Sequence, residues 1–291
     1  MRKAMIVLIG LLAIVVGAVT LISSNSKPNQ PVRPAVAAAK PEFVAFSGSE
    51  LIAHAGGGIE DLIYSNSLEA LNLSVKNGFK YIEIDFLNTK NGDLVLLHDW
   101  KDGYMSLFSS APGAGKNAAP RRKKPTKTAA EFKSLVMTRG LTQMDIIDLI
   151  RWMSDNPDIY IVTDIKADNL KNLKKIRDLS GDLQSRFIPQ IHKLKNYEKT
   201  KALGFDKIIL TTYRNKLPAE ELGAFCREKD LFALTMPHAR IESDTFDLLG
   251  EIDTPVFVHT LNSAEIASEF VGKGVSGVYT DFLYPDKAAS R

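Results

Sequence analysis

The sequence predicts an α/β protein of the (β/α)₈ TIM-barrel class. From residue 51 onward, short apolar runs typical of strands alternate with amphipathic segments typical of helices. Most of these runs are apolar at consecutive positions, as expected for parallel strands that are covered on both faces. A doubly wound open sheet is the alternative, but such a long regular alternation favours the barrel.

Nine segments have the character of strands, one more than a barrel needs. They span residues 51–54, 81–86, 94–99, 159–166, 186–191, 207–212, 231–236, 255–260 and 275–281. The connection LNTKNGD between Phe86 and Leu94 is too short for a helical crossover, and its Asn-Gly pair is typical of a tight turn. We therefore expect the alternation to break between the second and third strands.

Two helices have recognisable starts. Asn66 with Glu69, and Thr142 with Asp145, have the spacing of N-terminal capping residues, and Gly78 is suited to end the first helix. We therefore predict helices that begin at Asn66 and at Thr142.

The first 26 residues have the pattern of a signal anchor or a signal peptide. Arg2 and Lys3 precede an uncharged stretch that is apolar through Ile22, nearly long enough to cross a bilayer. No small-residue cleavage site follows closely, which favours an uncleaved anchor. Residues 27–46 form a Pro- and Ala-rich linker, and the barrel spans residues 47–291. We expect this domain outside the cytoplasm, periplasmic or on the cell surface, or secreted if the signal is cleaved.

Composition limits the classes of partner. The formal charge of +3 arises from residues 1–40, which hold five basic residues and no acid; the remainder has 32 basic and 34 acidic residues. Such a nearly neutral body argues against nucleic acid as a partner. The lone Cys226 excludes an intramolecular disulfide and is expected in the core.

Residues 101–127 form a long insertion with seven basic residues and one acid. Its simplest interpretation is a solvated loop. The functional alternative is a basic lip over a pocket for an anionic substrate, or a segment near anionic lipid.

Carboxylates lie towards the carboxyl ends of two of the predicted strands. Glu83 and Asp85 are two residues apart and therefore point to the same side of one strand, and Asp164 ends another. Burying such charges together is costly without a cation, so we predict a site for one divalent cation, with a salt-bridged structural pair as the alternative. Oxygen ligands indicate Mg²⁺ or Ca²⁺.

Two histidines complete a site for phosphoryl transfer. In a barrel, all carboxyl ends of the strands face one mouth, so His54 and His98 lie near the carboxylates and are candidates for acid–base catalysis. Lys166 shares a face with Asp164 and is suited to contact a phosphate, and the glycines at 56–58 leave backbone N–H groups free to approach one. The further candidates for substrate binding are Asn66, Gln190 and His259.

Several motifs resemble the glycerophosphodiester phosphodiesterase family of the phosphatidylinositol-phospholipase-C-like superfamily. They are IAHAGG, NSLEAL, GFKYIEIDFLNTKNGDLVLLHD, DIK and GVSGVYTDFLYP, in this order, between about residue 51 and residue 286. The resemblance implies a barrel, a divalent cation and hydrolysis of a glycerophosphodiester to glycerol 3-phosphate and an alcohol. By position it implies an acid–base pair (His54, His98), metal ligands (Glu83, Asp85, Asp164) and a phosphate-contacting lysine (Lys166).

The chain also departs from the family pattern. Ala55 stands where an arginine usually follows the first histidine, and YSNS at 64–67 replaces Pro-Glu-Asn-Thr. We hypothesise that the missing arginine and glutamate formed a pair and were lost together. His259 stands where a tryptophan is often found. Two alternatives remain: phospholipase C- or D-like action on intact lipids, and a non-catalytic barrel that binds phosphodiesters.

Overall fold

The computed structural model describes residues 41–108, 127–243, 246 and 252–286. These belong to one compact unit, Lys40–Arg291. The predicted membrane segment, most of the linker and residues 109–126 of the insertion lie outside the described residues. Among the described residues, no helix is both long enough and apolar enough to cross a membrane.

Eleven strands are found in the described part of the chain. They are β1 (Val44–Phe46), β2 (Glu50–Ala53), β3 (Tyr81–Asn88), β4 (Leu94–Leu96), β5 (Tyr160–Asp164), β6 (Phe187–Ile191), β7 (Ile209–Thr211), β8 (Ala233–Pro237), β9 (Val256–His259), β10 (Gly277–Thr280) and β11 (Leu283–Pro285). Eight of them are parallel and close in the order β2-β3-β5-β6-β7-β8-β9-β10, with β10 paired to β2. The predicted barrel is confirmed, and all nine predicted strands are present.

The irregularity falls where the sequence predicted it. β4 runs antiparallel to β3, with Leu87 opposite Val95, and the turn between them is closed by the Thr89 N–H, which donates to Asp93 O at 2.8 Å. β4 is therefore the ninth candidate and lies outside the barrel.

The helices of the described residues lie around the barrel. They are α1 (Leu68–Asn77), α2 (Asp102–Phe108), α3 (Ala129–Lys133), α4 (Ile146–Asp155), α5 (Asn169–Ser180), α6 (Tyr197–Lys201), α7 (Ala219–Glu228), α8 (His238–Ile241) and α9 (Ala264–Gly272). The insertion thus begins with a helix, α2, whose Leu107 and Phe108 are buried in a cluster with Trp100 and Phe132. Cys226 is buried, as predicted.

Both predicted helix starts are wrong. Ser67 caps α1 by accepting from Ala70 N at 3.2 Å, and Asp145 caps α4. Glu69 instead accepts hydrogen bonds from the backbone and hydroxyl of Thr142, joining the two helix starts to each other. Gly78 does end α1, in the left-handed conformation.

The folded region begins before residue 47. β1, at the end of the predicted linker, pairs in parallel with β11, with Val44 opposite Leu283. These two strands form a small separate sheet, in which the first part of the described chain lies beside its last part.

The inside of the barrel is filled by one apolar layer. Each of the eight barrel strands contributes one member: Ile52, Tyr81, Val162, Ile188, Ile209, Ala233, Phe257 and Tyr279. Strand side chains alternate between faces, so the residue two positions further along each strand also points inward, one layer nearer the mouth. This second layer positions the site.

Candidate active site

The second inward layer is polar throughout. Its members are His54, Glu83, Asp164, Gln190, Thr211, Thr235, His259 and Asp281. All but Thr235 and Asp281 line a pocket of about 560 Å³, which Asp85, His98 and Lys166 also line. The structure therefore brings together every predicted site residue except Asn66 at the lining of one pocket.

Three carboxylates form the floor of this pocket. Glu83, Asp85 and Asp164 are 3%, 3% and 7% exposed, and one oxygen of each lies within 4.8 Å of the others. Lys166 Nζ lies 2.9 Å from Asp85 and 3.5 Å from Asp164. A single lysine against three buried carboxylates leaves negative charge uncompensated, and an all-oxygen donor set of this size suits a divalent cation.

The pKa values follow from this crowding. Burial and the adjacent charge of Asp85 raise the pKa of Glu83 to about 8. Burial alone would raise the pKa of Asp164, but His192, Lys166 and Tyr213 together lower it to about 2. One carboxyl of the group thus takes up a proton when no cation is bound.

Each histidine is oriented by its own carboxylate. His54 Nδ1 lies 3.0 Å from Asp281, which also accepts from Asn262 Nδ2 at 2.8 Å, and His98 Nδ1 lies 2.8 Å from Asp99. With Nδ1 engaged in this way, Nε2 is the ring nitrogen left for chemistry on each. The His54 side chain is 14% exposed and that of His98 34%, so His98 is the one more open to solvent.

The pKa of His54 is set by opposing effects. Burial lowers it, but the hydrogen bond with Asp281 and the charges of Glu83 and Asp85 outweigh burial and raise it to about 9. Glu83 and Asp85 belong to the cluster that would hold a cation, so a bound cation would offset their charges and lower the pKa of His54 towards neutrality.

Asn66 lies behind the pocket rather than in it. It is completely buried, its Nδ2 donates to Asp85 Oδ2 at 3.1 Å, and its Oδ1 accepts from Asp85 N at 3.0 Å. These two bonds fix the Asp85 carboxylate, because they hold its side chain and backbone at once. Asn66 thus supports Asp85, and its predicted role in substrate binding stays a prediction.

The expected backbone N–H groups are already engaged. Gly57 N donates to His54 O and Gly58 N to Asp281 O, both at 2.8 Å, and Ala55 N donates to Glu83 Oε2 at 2.7 Å. The expectation that the glycine N–H groups approach a phosphate is therefore wrong for Gly57 and Gly58. Gly58 is needed for packing, since an added Cβ would lie 2.5 Å from the Phe282 ring.

Gln190 and His259 also line the pocket. Gln190 Oε1 accepts from Tyr279 at 3.4 Å. Burial lowers the pKa of His259 to about 4, and its Nε2 is buried with no hydrogen-bond partner among the described residues. His259 is thus a neutral ring at physiological pH.

Two tyrosines of the site escaped the sequence analysis. The Tyr213 hydroxyl bonds to both oxygens of Asp164, at 2.9 and 2.8 Å. The Tyr64 ring lies between the two histidines, with its centroid 4.6 Å from each of theirs, and its backbone is left-handed (φ 59°). Tyr64 follows no predicted strand, so the strand-end rule gave no signal for it. Tyr213 directly follows the predicted strand 207–212, and Asp281 ends the predicted strand 275–281, so that rule pointed to both positions.

Fold and site together define a barrel hydrolase built for phosphoryl chemistry. A sequence model of the glycerophosphoryl diester phosphodiesterase family matches residues 54–231. The chain belongs to this family, which places it among the phosphoric diester hydrolases. A search of curated proteins finds no match.

Solved structures agree on the fold. A glycerophosphodiester phosphodiesterase from Parabacteroides distasonis is 16% identical over 81% of this chain and 94% of its own, with a TM-score of 0.60. The enzyme from Thermotoga maritima is 22% identical over 80% and 94%, with a TM-score of 0.59. An Oleispira antarctica phosphodiesterase in complex with the product sn-glycerol-3-phosphate is 19% identical over 83% and 95%, with a TM-score of 0.53.

The carboxylate cluster predicts an unusual pH dependence of stability for the metal-free protein. Glu83 holds its proton up to about pH 8 when folded, against an ordinary pKa of 4.5, so the free energy of unfolding falls as pH rises between these values. His54, with a folded pKa of about 9 against 6.5, stabilises the fold at low pH and loses that contribution over the same upper range. Urea unfolding of EDTA-treated protein at pH 5 and pH 8.5 will show the loss.

Saturating divalent cation should remove most of this fall, because it stabilises the ionised carboxylates. Glu83→Gln should flatten the metal-free profile, since it removes the titrating group. A metal-free stability that stays constant or rises over this range would contradict the account of the cluster.

Proposed function

We propose that the chain hydrolyses glycerophosphodiesters to glycerol 3-phosphate and an alcohol, with His54 and His98 as the acid–base pair. The supporting observation is that two histidines, each oriented by its own carboxylate, share one pocket with three buried carboxylates and a lysine. Glu83, Asp85 and Asp164 would hold one cation, and their oxygen donors favour Mg²⁺ or Ca²⁺. Bound there, the cation supplies positive charge to the phosphoryl oxygens.

The environments of the histidines divide their roles. His54 is buried and paired with Asp281, so its Nε2 is a base that takes the proton of a glycerol hydroxyl as that oxygen attacks phosphorus. His98 is the more exposed of the two histidines, and we assign it as the residue that donates a proton to the leaving alcohol. The resulting cyclic phosphate is opened by water, with His98 now accepting a proton and His54 returning one.

The remaining side chains position the phosphate. Lys166 Nζ lies beside Asp85 and Asp164, where its charge stabilises the phosphoryl oxygens as negative charge grows on them. Gln190 and His259 line the same pocket and would contact the substrate's hydroxyl groups. The Tyr64 ring lies between the two histidine rings and contacts both.

We also propose that residues 1–26 attach the enzyme to a membrane with the barrel outside the cytoplasm, or direct its secretion if they are cleaved. Arg2 and Lys3 before the apolar stretch support this orientation. The substrate would then be a small phosphodiester or the headgroup of a lipid.

The role of each histidine can be tested with the leaving group. His98→Ala should lower the rate on glycerophosphocholine by about 10³-fold but the release of p-nitrophenol from glycerophospho-p-nitrophenol by less than about tenfold, because nitrophenolate leaves without a proton. His54→Ala should lose about 10³-fold on both substrates, since the attacking hydroxyl still needs a base. Single-turnover release of the alcohol is the measurement.

Equal losses by both variants on both substrates would contradict this division of roles. If instead His54→Ala lost little rate on glycerophospho-p-nitrophenol and His98→Ala lost about 10³-fold on both substrates, the roles of the two histidines would be reversed.

The replacement of arginine by Ala55 gives a second test. The Ala55 side chain is completely buried, its N–H is bonded to Glu83, and its carbonyl accepts from Asn66 N, beside the buried Ser65. An arginine here would pair with Glu83 and compete with the cation, so Ala55→Arg should lower kcat/KM at least about tenfold and weaken cation binding.

Adding Ser65→Glu should recover part of both losses, because the new carboxylate can accept the arginine. Steady-state kinetics and cation titrations of the single and double variants measure this. A gain of activity in Ala55→Arg alone would show that the present site is an impaired form of the usual one.

A further inference from the structure

A second cavity opens beside the active site, and four of its nine lining residues are lysine or arginine. We call it the basic pocket; its charged or titratable members are Lys166, Asp168, Lys171, His192, Lys193 and Arg214, and it encloses about 910 Å³ including its open mouth. We propose that it binds a second anionic group, such as a phosphate, carried by the leaving alcohol of the phosphodiester substrate. This proposal rests on the proposed function and specifies its substrate class.

The basic pocket lies on the same side of the barrel as the active site. Its walls are the segments that follow β5, β6 and β7, all at the carboxyl ends of their strands. Lys166 lines both cavities, and Arg214 Nη1 donates to the Lys166 carbonyl at 2.8 Å. The two cavities therefore share a wall at Lys166.

Lys166 also connects the basic pocket with His98. Lys166 Nζ is 3.5 Å from the His98 carbonyl, and His98 is the proposed proton donor to the leaving alcohol. A leaving alcohol beside His98 would therefore lie near the wall that the two cavities share at Lys166.

Three of the four cations in the basic pocket are not paired with a carboxylate of the described residues. Lys171, Lys193 and Arg214 are exposed and form no ion pair with the described residues, and Asp168 is the one carboxylate among the lining residues. Lys166 is already paired with Asp85 and Asp164. Three unpaired cations against one carboxylate attract an anion, whereas a neutral or cationic alcohol gains nothing from them.

His192 lines the basic pocket next to the carboxylate cluster. Its Nε2 lies 3.6 Å from Asp164 Oδ1, and Asp164 lines the active site.

A matched pair of substrates tests the proposal: glycerophosphopropanediol with a free terminal hydroxyl, and the same compound with a terminal phosphate. The full-length wild type should show a kcat/KM at least about tenfold higher for the phosphorylated compound. Lys193→Glu and Lys171→Glu should each lower this preference about five- to tenfold, and added salt should lower it in the wild type.

Lys195→Glu is the control, because this exposed lysine lies in the same loop, has the same charge change and does not line the basic pocket. It should leave the preference unchanged. No preference in the wild type, or an equal change in Lys193→Glu and Lys195→Glu, would overturn the proposal.

Titration with propanediol monophosphate needs no turnover and separates this proposal from the proposed function. Binding to the wild type that is lost in Lys193→Glu supports the basic pocket even if neither diester is hydrolysed. Absence of binding together with normal hydrolysis of the neutral diester overturns the basic pocket and leaves the proposed function standing.

Discussion

Three carboxylates that lie within 4.8 Å of one another, almost completely buried, dominate the energetics of this barrel. Removing them from water is costly, and the surroundings are arranged to limit that cost: Lys166 pairs with Asp85, the Tyr213 hydroxyl bonds to Asp164, and the Ala55 N–H bonds to Glu83. Negative charge still remains, and it is this remainder that suits the site to a divalent cation and, through it, to a phosphate. The same charge controls the pKa of His54, so cation binding and base strength are coupled.

Much of the site was predictable because barrel geometry is regular. In each barrel strand, the residue two positions after the member of the apolar layer also points inward, towards the mouth. The polar residues at these positions were identified because they lie in or at the end of apolar runs; they are His54, Glu83, Asp164, Gln190 and His259. The β3–β4 hairpin was equally visible in its Asn-Gly turn. The positions of the Tyr64 and Asn66 side chains could not be predicted, because they depend on the conformation of a loop. Both residues have positive φ, which directs Tyr64 at the histidines and Asn66 at Asp85, and no periodic pattern in the sequence indicates such a conformation.

The departures from the family pattern fall together in space. Ala55 stands where the family pattern usually has an arginine, its carbonyl accepts from Asn66 N in the same turn as Ser65, and the Tyr64 ring from that turn lies between the histidines. In the proposed function, His54, His98 and the three carboxylates form the reacting centre, and the basic pocket places Lys171, Lys193 and Arg214 beside it.

We propose that the buried carboxylates hold a cation without which the phosphodiester is not cleaved. The direct measurement is glycerol 3-phosphate release from glycerophosphodiesters by the full-length protein, before and after EDTA treatment, with Asp85→Asn alongside. We expect that EDTA abolishes release, that excess Mg²⁺ or Ca²⁺ restores it in the wild type, and that Asp85→Asn needs far more cation for the same rate. Release that persists in EDTA at the untreated rate would contradict it.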